Sequence, residues 1–292
     1  MQPVNFEVPN RASLRSSALE PALKRIMLDS CASSGQQVGA MLQYHLASSG
    51  SLKRATLCYQ TGVALNIDSQ TAMRFAAVVE LLHNASLIHD DIQDQDKVRR
   101  NTPSLWVKYG KALALCAGDS MIVGASLLLA EIRSTFSLQL QTRAFQAVQQ
   151  TIRGQTADLS RAGKVRPDDY RVIAFDKAAP LIQLSVYLPS LHVNRLPALQ
   201  PLVTAAGQFA LAYQLYDDVV DFEQDCQTDQ LNAVNIKYHA TPSSLASARR
   251  AVLDEMQNLL DSADQKCSIP QSDCALPLQH FINALRNKVD LL

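Results

Sequence analysis

Two short acidic clusters, each at the end of a long apolar stretch with helical spacing, constrain the fold of this chain most strongly. Both have the pattern DDxxD: Asp90-Asp91-Ile92-Gln93-Asp94, the first aspartate cluster, and Asp217-Asp218-Val219-Val220-Asp221, the second aspartate cluster. On a helix, residues i and i+4 share a face, so the first and last aspartate of each cluster point the same way. Like charges on adjacent turns repel, and apolar surroundings raise that cost unless a cation neutralises them. The pattern therefore predicts two helices that end in carboxylates and bind a cation.

An acidic run is often only the solvated face of a helix, and this alternative applies to either cluster taken alone. The stretches before the clusters, 75–89 and 205–216, are dominated by Ala, Val, Leu, Ile and aromatic residues. That composition is wrong for two exposed helices and typical of core helices that end at a polar cavity. Oxygen ligands without His or Cys favour Mg²⁺, which is commonly shared with substrate phosphates. The two clusters together therefore predict a site for Mg²⁺ and a diphosphate.

Helical periodicity dominates the chain, and convincing alternating strands are absent. Apolar residues at three- and four-residue spacing predict helices over 18–29, 38–46, 53–65, 71–89, 111–135, 138–151, 167–188, 199–222 and 243–263. Polar stretches at 93–104 and 223–235 follow the two aspartate clusters, so each acidic helix is expected to open into a loop. The predicted fold class is all-α, a helical bundle with a central apolar cavity and both acidic helix ends at its mouth.

Composition excludes several classes of protein. The 292 residues are 47% hydrophobic, and no Gly/Ser-rich or Pro-rich linker divides them, so we expect a single domain over 1–292 with 1–15 as a loosely ordered N-terminal segment. The 27 basic residues balance 27 acidic ones without a strongly basic stretch, which argues against nucleic acid as a partner.

Location and redox state follow from two further patterns. The apolar stretch 112–130 is interrupted by Asp119 and is typical of a buried core helix, and no signal-peptide pattern begins the chain. We therefore expect a soluble, cytoplasmic protein without a transmembrane segment. The six cysteines show no CxxC pairing and are expected to be free thiols without a function.

A diphosphate ligand also requires cations from the protein. Arg99-Arg100 follows the first aspartate cluster closely, and paired guanidinium groups suit bidentate recognition of phosphate. Arg54, His83 and Lys177 are weaker candidates, because a lone cation is usually a surface charge and a lone histidine usually belongs to the core.

These motifs together resemble the trans-isoprenyl diphosphate synthases, the polyprenyl synthetase family. Residues 81–94 are similar to the family's first aspartate-rich motif, and 98–103 to the arginine segment that follows it. Later blocks resemble, in the family's order, Ala117-Gly118-Asp119, Gly154-Gln155 with Asp158, Asp176-Lys177-Ala178-Ala179, and 214–221. The resemblance runs from about Tyr44 to Asp225 and implies the isoprenoid-synthase type of helical bundle.

The resemblance implies a Mg²⁺-dependent prenyltransferase that condenses an allylic diphosphate with isopentenyl diphosphate, in which Mg²⁺ assists departure of the allylic diphosphate. The implied principal metal ligands are Asp90, Asp94 and Asp217, supported by Asp91, Asp218 and Asp221. The allylic diphosphate would be held by Arg99 and Lys177, with Gln214 nearby, and isopentenyl diphosphate by Arg54, His83 and Arg100. The residues implied in catalysis are Asp90, Asp94, Lys177 and Asp217. The family's usual homodimer is implied as well.

Product length is implied by the residues one turn before the first aspartate cluster. Ala85 and Ser86 are both small there, so the resemblance favours a product longer than farnesyl diphosphate. We expect geranylgeranyl diphosphate or a similar product, unless a large side chain such as Met73 closes the cavity deeper down.

Two departures from the family pattern keep other functions open. Ser51 stands where the family has a phosphate-binding lysine, and the short segment 228–235 lacks the family's loop lysines. Both changes remove charge from the isopentenyl diphosphate site. One alternative is a terpene synthase-like enzyme that ionises a prenyl diphosphate without isopentenyl diphosphate. The other is a non-catalytic subunit that binds prenyl diphosphate within a heteromer.

Overall fold

The protein is described here by a computed structural model over residues 16–48, 50–161, 165–227, 230–240, 244–270 and 273–289. The expected N-terminal segment 1–15 lies outside these residues. The described part of the chain contains thirteen α-helices: α1 Ser16–Ser30, α2 Gln36–Ala47, α3 Lys53–Ala64, α4 Ser69–Gln93, α5 Leu105–Tyr109, α6 Lys111–Glu131, α7 Ser137–Leu159, α8 Pro167–His192, α9 Leu196–Val220, α10 Phe222–Gln227, α11 Ala233–Ala240, α12 Leu245–Cys267 and α13 Leu276–Val289. Two short strands, β1 Val98–Arg99 and β2 Thr102–Pro103, and 3-10 helices at Ala32–Ser34 and Asp273–Ala275 complete it.

The all-α prediction is confirmed, and the nine expected helices correspond to α1–α4, α6–α9 and α12. The expected loop at 223–235 is wrong in part, because α10 and the first three residues of α11 lie within it. The stretch 93–104 contains the paired strands β1 and β2, which are too short to show alternation in a sequence. Helix α13 was missed, although its buried Leu278, Ile282 and Leu285 follow helical spacing.

The described residues group into two compact units. One comprises the residues up to Thr142 together with Leu188–Asn194, and the other comprises Arg143–Tyr187 and the residues from Arg195 onward. In the first unit, α4 packs between α3 and α6. In the second, α9 packs against α12, with α11 and α13 beside it. The single domain over 1–292 stays a prediction.

Helices α4 and α9 are the central helices of their units, and each is 25 residues long. The N-cap residue of α4 is Asp68, whose side chain accepts a hydrogen bond from the Thr71 backbone N–H at 2.9 Å. Apolar side chains are buried on all sides of α4, including Phe75 and Ile88 at 0% exposure. A helix that is apolar all round belongs in a core. The aspartate clusters thus sit at the C-terminal ends of the central helices of the two units.

Helix α6 is the one described helix that is long and apolar enough to cross a membrane by length and composition. Half of its most apolar window is buried within the protein, where it packs on α4. Packing of this kind favours the interpretation of α6 as a core helix over a membrane-spanning one. The absence of a transmembrane segment and the cytoplasmic location stay predictions.

Gly154 allows α7 and α8 to approach closely within the second unit. A Cβ at Gly154 would lie 2.7 Å from the Lys177 backbone nitrogen and 2.8 Å from the Asp176 carbonyl carbon. The Asp176 carboxylate, 4% exposed, accepts hydrogen bonds from Gln150 Nε2 at 2.9 Å and Arg153 Nε at 2.7 Å, so it ties the two helices together. Lys177 is thus placed by a contact that only glycine permits.

We predict that Gly154→Ala lowers the free energy of unfolding by about 2 kcal/mol, because a side chain there overlaps backbone that cannot move freely. Gly39→Ala in α2 is the matched control. A Cβ at Gly39 meets nothing within 4 Å, so this change should stabilise the protein by about 0.5–1 kcal/mol. Urea denaturation measures both. A Gly154→Ala variant as stable as the Gly39→Ala variant would contradict the packing argument.

Candidate functional site

The three aspartates of the first aspartate cluster have different surroundings. Asp90 is half-buried in the last turn of α4, Asp94 is exposed as the C-cap residue, and Asp91 is only 1% exposed. The Asp94 backbone N–H donates to the Asp90 carbonyl oxygen at 2.8 Å, so helical geometry continues to the end of the cluster. We call Asp90 and Asp94 the outer aspartates and Asp91 the inner aspartate.

The inner aspartate Asp91 binds Arg99. Arg99 Nε donates to Asp91 Oδ1 at 2.8 Å, and Arg99 Nη2 donates to the same oxygen. Burial raises the pKa of Asp91, and the hydrogen bond and charge of Arg99 only partly offset it. Arg99 is the predicted ligand of the allylic diphosphate, so Asp91 is placed to support the site through this arginine.

The second aspartate cluster repeats the arrangement in the second unit. Asp217 is half-buried and Asp221 is the exposed C-cap residue of α9, and these are its outer aspartates. The Asp221 backbone N–H donates to the Asp217 carbonyl oxygen at 2.8 Å, the same distance as in the first cluster. The inner aspartate Asp218 is 2% exposed. Two sequences of the same pattern thus adopt the same local structure.

Three hydrogen bonds hold the inner aspartate Asp218. It accepts from the Tyr170 hydroxyl at 2.5 Å, from Gln214 Nε2 at 2.8 Å and from the Ala233 backbone N–H at 2.7 Å. Burial raises the pKa of Asp218 to about 6 despite these donors. Gln214, predicted to lie near the allylic diphosphate, donates to Asp218, and its role toward substrate stays a prediction.

The buried side chain of Asn232 stabilises the short segment that follows the second aspartate cluster. Its side chain, 1% exposed, donates from Nδ2 to the Asp218 carbonyl oxygen at 2.7 Å and to Asp225 Oδ2 at 2.8 Å. Asn232 Oδ1 accepts from the Val234 backbone N–H at 2.9 Å at the start of α11. Thr228 and Asp229, which belong to the segment 228–235 that lacks the family's loop lysines, lie outside the described residues. The rest of that segment is fixed by one buried amide.

The outer aspartates suit a hard cation by position and by chemistry. Asp94 and Asp221 cap the C-terminal ends of α4 and α9, where the helix dipole is negative and an added carboxylate is unfavourable. A cation bound there relieves both the dipole and the repulsion between carboxylates. Their donors are oxygens alone, which fits Mg²⁺. Within the described ranges, no group of three His, Cys, Asp or Glu side chains already converges as a metal site, in keeping with the inward-facing Asp91 and Asp218.

Arg54 and His83, two of the three residues predicted for isopentenyl diphosphate, are in contact in the first unit. Arg54 Nη1 donates to His83 Nε2 at 3.1 Å. The pKa of His83 lies well below its usual value, first because of burial and then because of the charges of Arg54 and Arg100. His83 is therefore neutral and accepts from Arg54. We call Arg54, His83 and Arg100, the three residues predicted for isopentenyl diphosphate, the arginine group.

Arg100 stands at the tip of the hairpin formed by β1 and β2. Arg100 and Asn101 have φ angles of 52° and 63°, so both central residues of this two-residue turn are left-handed, as a type I′ turn requires. Arginine in this conformation is strained by about 1 kcal/mol. Arg100 Nη1 donates to the Ser48 carbonyl oxygen at 2.9 Å, and its guanidinium lies where a Cβ on Gly50 would collide with it.

Lys177, the predicted cation of the second unit, already has a carboxylate partner. Its Nζ donates to Asp158 of α7, and Arg161 Nη1 donates to the same side chain. Asp158 lies within one of the motifs that resemble the family, and no role was predicted for it. A diphosphate bound by Lys177 would have to compete with Asp158.

The predicted chain-length residues lie on α4 between the arginine group and the aspartates. Ala85 is 1% exposed and Ser86 is half-buried, with its Oγ donating to the His83 carbonyl oxygen at 2.8 Å. Two polar residues that the prediction omitted are also buried on α4: Asn84, directly before Ala85, is 2% exposed, and Glu80, one turn before Asn84, is 3% exposed. Glu80 and Asn84 are four residues apart and Asp91 follows seven residues later, so all three lie on one face of α4. This spacing is the sequence pattern that could have predicted a buried polar face.

The polyprenyl synthetase family model matches residues 35–235, more than half of the chain. The chain belongs to the polyprenyl synthetase family. The predicted resemblance, from about Tyr44 to Asp225, lies within the matched range. The chain is 33% identical over 174 residues to (2E,6E)-farnesyl diphosphate synthase of Mycobacterium tuberculosis, a match that covers 59% of this chain and 48% of that enzyme. The chain thus spans about half the length of this relative.

Solved structures of the same fold include a geranylgeranyl pyrophosphate synthetase from the archaeon Geoglobus acetivorans. Its TM-score is 0.84 at 17% identity, and 93% of this chain and 97% of that chain are covered. A polyprenyl synthase from Caulobacter crescentus, complexed with calcium and isoprenyl diphosphate, has a TM-score of 0.74 at 20% identity, with 94% of both chains covered. These likenesses confirm the predicted helical-bundle fold, and its central apolar cavity stays a prediction.

For this member of the polyprenyl synthetase family, we predict that Asp91→Asn lowers the free energy of unfolding by about 2 kcal/mol, because a charge-assisted hydrogen bond to a buried carboxylate is lost. Asp90→Asn should leave stability unchanged or raise it slightly, because one of two like charges at the end of α4 disappears. Thermal denaturation without divalent cations measures both variants. Equal effects of the two changes would contradict the distinction between inner and outer aspartates.

Proposed function

We propose that the protein is a Mg²⁺-dependent prenyltransferase that condenses an allylic diphosphate with isopentenyl diphosphate. The repeated arrangement of the two aspartate clusters carries this proposal: each has one buried, anchored aspartate and two outer aspartates at the end of a central helix. A solvated acidic surface has no need of such anchoring. Arg54, which contacts neutral His83, and Arg100 add the cations that a second diphosphate requires.

The outer aspartates Asp90, Asp94, Asp217 and Asp221 would hold Mg²⁺. Bound Mg²⁺ supplies Lewis-acid assistance to the departure of the allylic diphosphate. Asp91 and Asp218 support the clusters from the interior. Arg99, fixed by Asp91, would hold the allylic diphosphate by charge-assisted hydrogen bonds. Lys177 would exchange its contact with Asp158 for the same substrate.

The second half of the reaction would depend on the arginine group of the first unit. Arg54 and Arg100 would bind the diphosphate of isopentenyl diphosphate, while neutral His83 keeps Arg54 in place by accepting its hydrogen bond. The allylic C–O bond breaks, the double bond of isopentenyl diphosphate forms the new C–C bond, and the released diphosphate takes the proton that is lost.

One observation supports the terpene synthase-like alternative. Ser51, which replaces the expected lysine, is exposed and contributes no charge, so the isopentenyl diphosphate site has fewer cations than the family pattern. An enzyme that only ionises a prenyl diphosphate does not need that lysine.

We also propose a homodimer. Helix α6 exposes Leu115, Val123 and Leu127 at 45%, 56% and 48%, on one side of a helix whose other side packs on α4. An apolar stripe of this kind is typical of a surface that a second copy covers. Analytical ultracentrifugation of the purified chain decides the oligomeric state.

The central experiment incubates the purified chain with Mg²⁺ and geranyl or farnesyl diphosphate, with and without isopentenyl diphosphate. Formation of a longer prenyl diphosphate supports the proposal. A hydrocarbon or alcohol formed without isopentenyl diphosphate supports the terpene synthase-like enzyme, and an absence of turnover supports the binding subunit. Both latter outcomes contradict the condensing synthase.

We predict that Asp90→Ala lowers kcat by about 100-fold or more, because transition-state charge stabilisation is lost. Asp29→Ala is the matched control, since Asp29 is likewise near the C-terminal end of a helix, exposed in α1. Steady-state turnover of both variants gives the comparison. An Asp90→Ala variant with the activity of the control would remove the metal assignment.

We predict that Ala85→Leu and Ala85→Tyr shorten the product progressively, because Ala85 is buried beside the first aspartate cluster and a larger side chain fills space that a prenyl chain would use. Wild-type protein is expected to make geranylgeranyl diphosphate or a similar product. Ser86→Ala, which adds no volume, should leave the product unchanged. Chromatography of the dephosphorylated products measures the length of the prenyl chain. An unchanged distribution of product lengths in both Ala85 variants would show that Ala85 does not limit the product.

A further inference from the structure

Trp106, the only tryptophan in the sequence, binds the backbone at the point where the chain leaves α4. Its indole Nε1 donates to the Asp96 carbonyl oxygen at 2.8 Å. The Ser104 hydroxyl donates to the same oxygen at 2.6 Å, and Ser104 is 1% exposed. A carbonyl oxygen has two lone pairs, so both acceptor positions of Asp96 are used by side chains that follow the hairpin of β1 and β2.

Asp96 belongs to the turn that ends α4. Gln95, directly after the C-cap, is left-handed with φ 58°, and the Asp96 backbone N–H donates to the Asp91 carbonyl oxygen at 2.9 Å. These are the features of a Schellman motif, which redirects the chain at the end of a helix. Glycine usually occupies the position of Gln95, because another residue in this conformation costs about 1 kcal/mol. The two side-chain donors to the Asp96 carbonyl therefore stabilise this strained turn from outside α4.

The fixed turn leads directly to Arg99, three residues further along in β1. Arg99 Nε donates to Asp91 Oδ1 at 2.8 Å, and Arg99 Nη2 lies 3.5 Å from Asp96 Oδ2. The Ser104 backbone N–H donates to the Lys97 carbonyl oxygen at 2.9 Å and joins the two ends of the hairpin. The direction of Arg99 thus depends on the position of Asp96, both through the backbone and through its side chain.

The Trp106 indole is itself held by packed elements. Helix α5, which carries Trp106, packs on α4 and α6, and the neighbouring Leu105 is 2% exposed. Lys111 Nζ, in the first turn of α6, lies 5.2 Å from the centroid of the Trp106 ring, a cation–π distance. Because its surroundings are fixed, the indole can hold the hairpin in place.

We propose that Trp106 is a positioning residue of the allylic diphosphate site, where its indole N–H fixes the Asp96 carbonyl and thereby aligns Arg99 on the diphosphate. This inference rests on the proposed function, because it assumes that Arg99 binds the allylic diphosphate. Without the indole donor, the turn at Gln95 and the start of β1 gain conformational freedom. Arg99 must then be ordered when the diphosphate binds, and this cost weakens binding.

The test uses Trp106→Phe, which keeps an aromatic ring and removes the N–H donor. Gln141→Leu is the matched control, because Gln141 Nε2 donates to the Ser126 carbonyl oxygen at 3.0 Å and joins α7 to α6 by the same kind of bond. Calorimetry with Mg²⁺ and farnesyl thiolodiphosphate, an allylic analogue whose C–S bond resists ionisation, gives Kd. Thermal denaturation measures the cost to folding separately.

Trp106→Phe should raise Kd for the analogue by about tenfold, the effect of one lost hydrogen bond. Gln141→Leu should lower thermal stability and leave Kd within about twofold of wild type. A double-mutant cycle with Arg99→Gln separates alignment from a general structural effect. When Trp106→Phe is added to Arg99→Gln, Kd should rise by less than about twofold, because the group that Trp106 aligns is already gone.

Two results overturn the inference. One is an unchanged Kd in Trp106→Phe, and the other is an equal rise with and without Arg99, which shows an effect that does not pass through this arginine. If Trp106→Phe does not fold, Ser104→Ala decides, since it removes the other donor to the same carbonyl. A rise in Kd that disappears in the Arg99→Gln background supports the inference, and no rise overturns it.

The outcomes distinguish this inference from the proposed function. Wild-type protein that binds the analogue but does not extend farnesyl diphosphate with isopentenyl diphosphate overturns the condensing synthase, and the Kd values of the variants still decide the inference. Wild-type protein that does not bind the analogue overturns both. Wild-type protein that condenses normally, with a Trp106→Phe variant that binds the analogue equally well, overturns the inference alone.

Discussion

The burial of one carboxylate in each aspartate cluster determines how the rest of each site is built. A buried carboxylate must find donors, and each inner aspartate finds them on a different element: Asp91 on Arg99 beyond the end of α4, and Asp218 on Tyr170 of α8 and on the beginning of α11. Because residues of a helix are fixed relative to one another, anchoring the inner aspartate also sets the directions of the outer ones. The energetically demanding residue is thus the one that faces away from the proposed metal.

Much of the fold follows from the sequence, for a physical reason that α4 and α9 illustrate. Long apolar runs with helical spacing can be buried only as core helices, so their positions and their acidic ends are predictable. Helix α13 had the same signal in Leu278, Ile282 and Leu285 and was overlooked. The hairpin of β1 and β2 was not predictable in this way. Its strands are too short for a period, and its turn contains Arg100 where glycine or asparagine would have marked it.

The residue types of the candidate site are visible in the sequence, but the burial of each one is not. DDxxD presents three similar carboxylates, and the sequence alone cannot distinguish an inner aspartate from an outer one, because that depends on which neighbouring element offers donors. Asp91 and Asp218 were therefore grouped with the metal ligands, whereas their hydrogen bonds go to protein donors. Glu80 is hidden in the sequence by its apolar neighbours, and its hydrogen-bond donor Asn84 lies one turn along the same helix.

The hairpin formed by β1 and β2 directs two consecutive arginines to different contacts. Arg99, the last residue of β1, turns to Asp91, and Arg100, the first residue of the turn, extends to Ser48 and Gly50. Substitutions can therefore alter one arginine at a time. Insertion or deletion of one residue here would shift the register of β1 against β2 and displace both arginines together. The two arginines, proposed ligands of different diphosphates, are thus linked in their tolerance to insertions and deletions in the polypeptide.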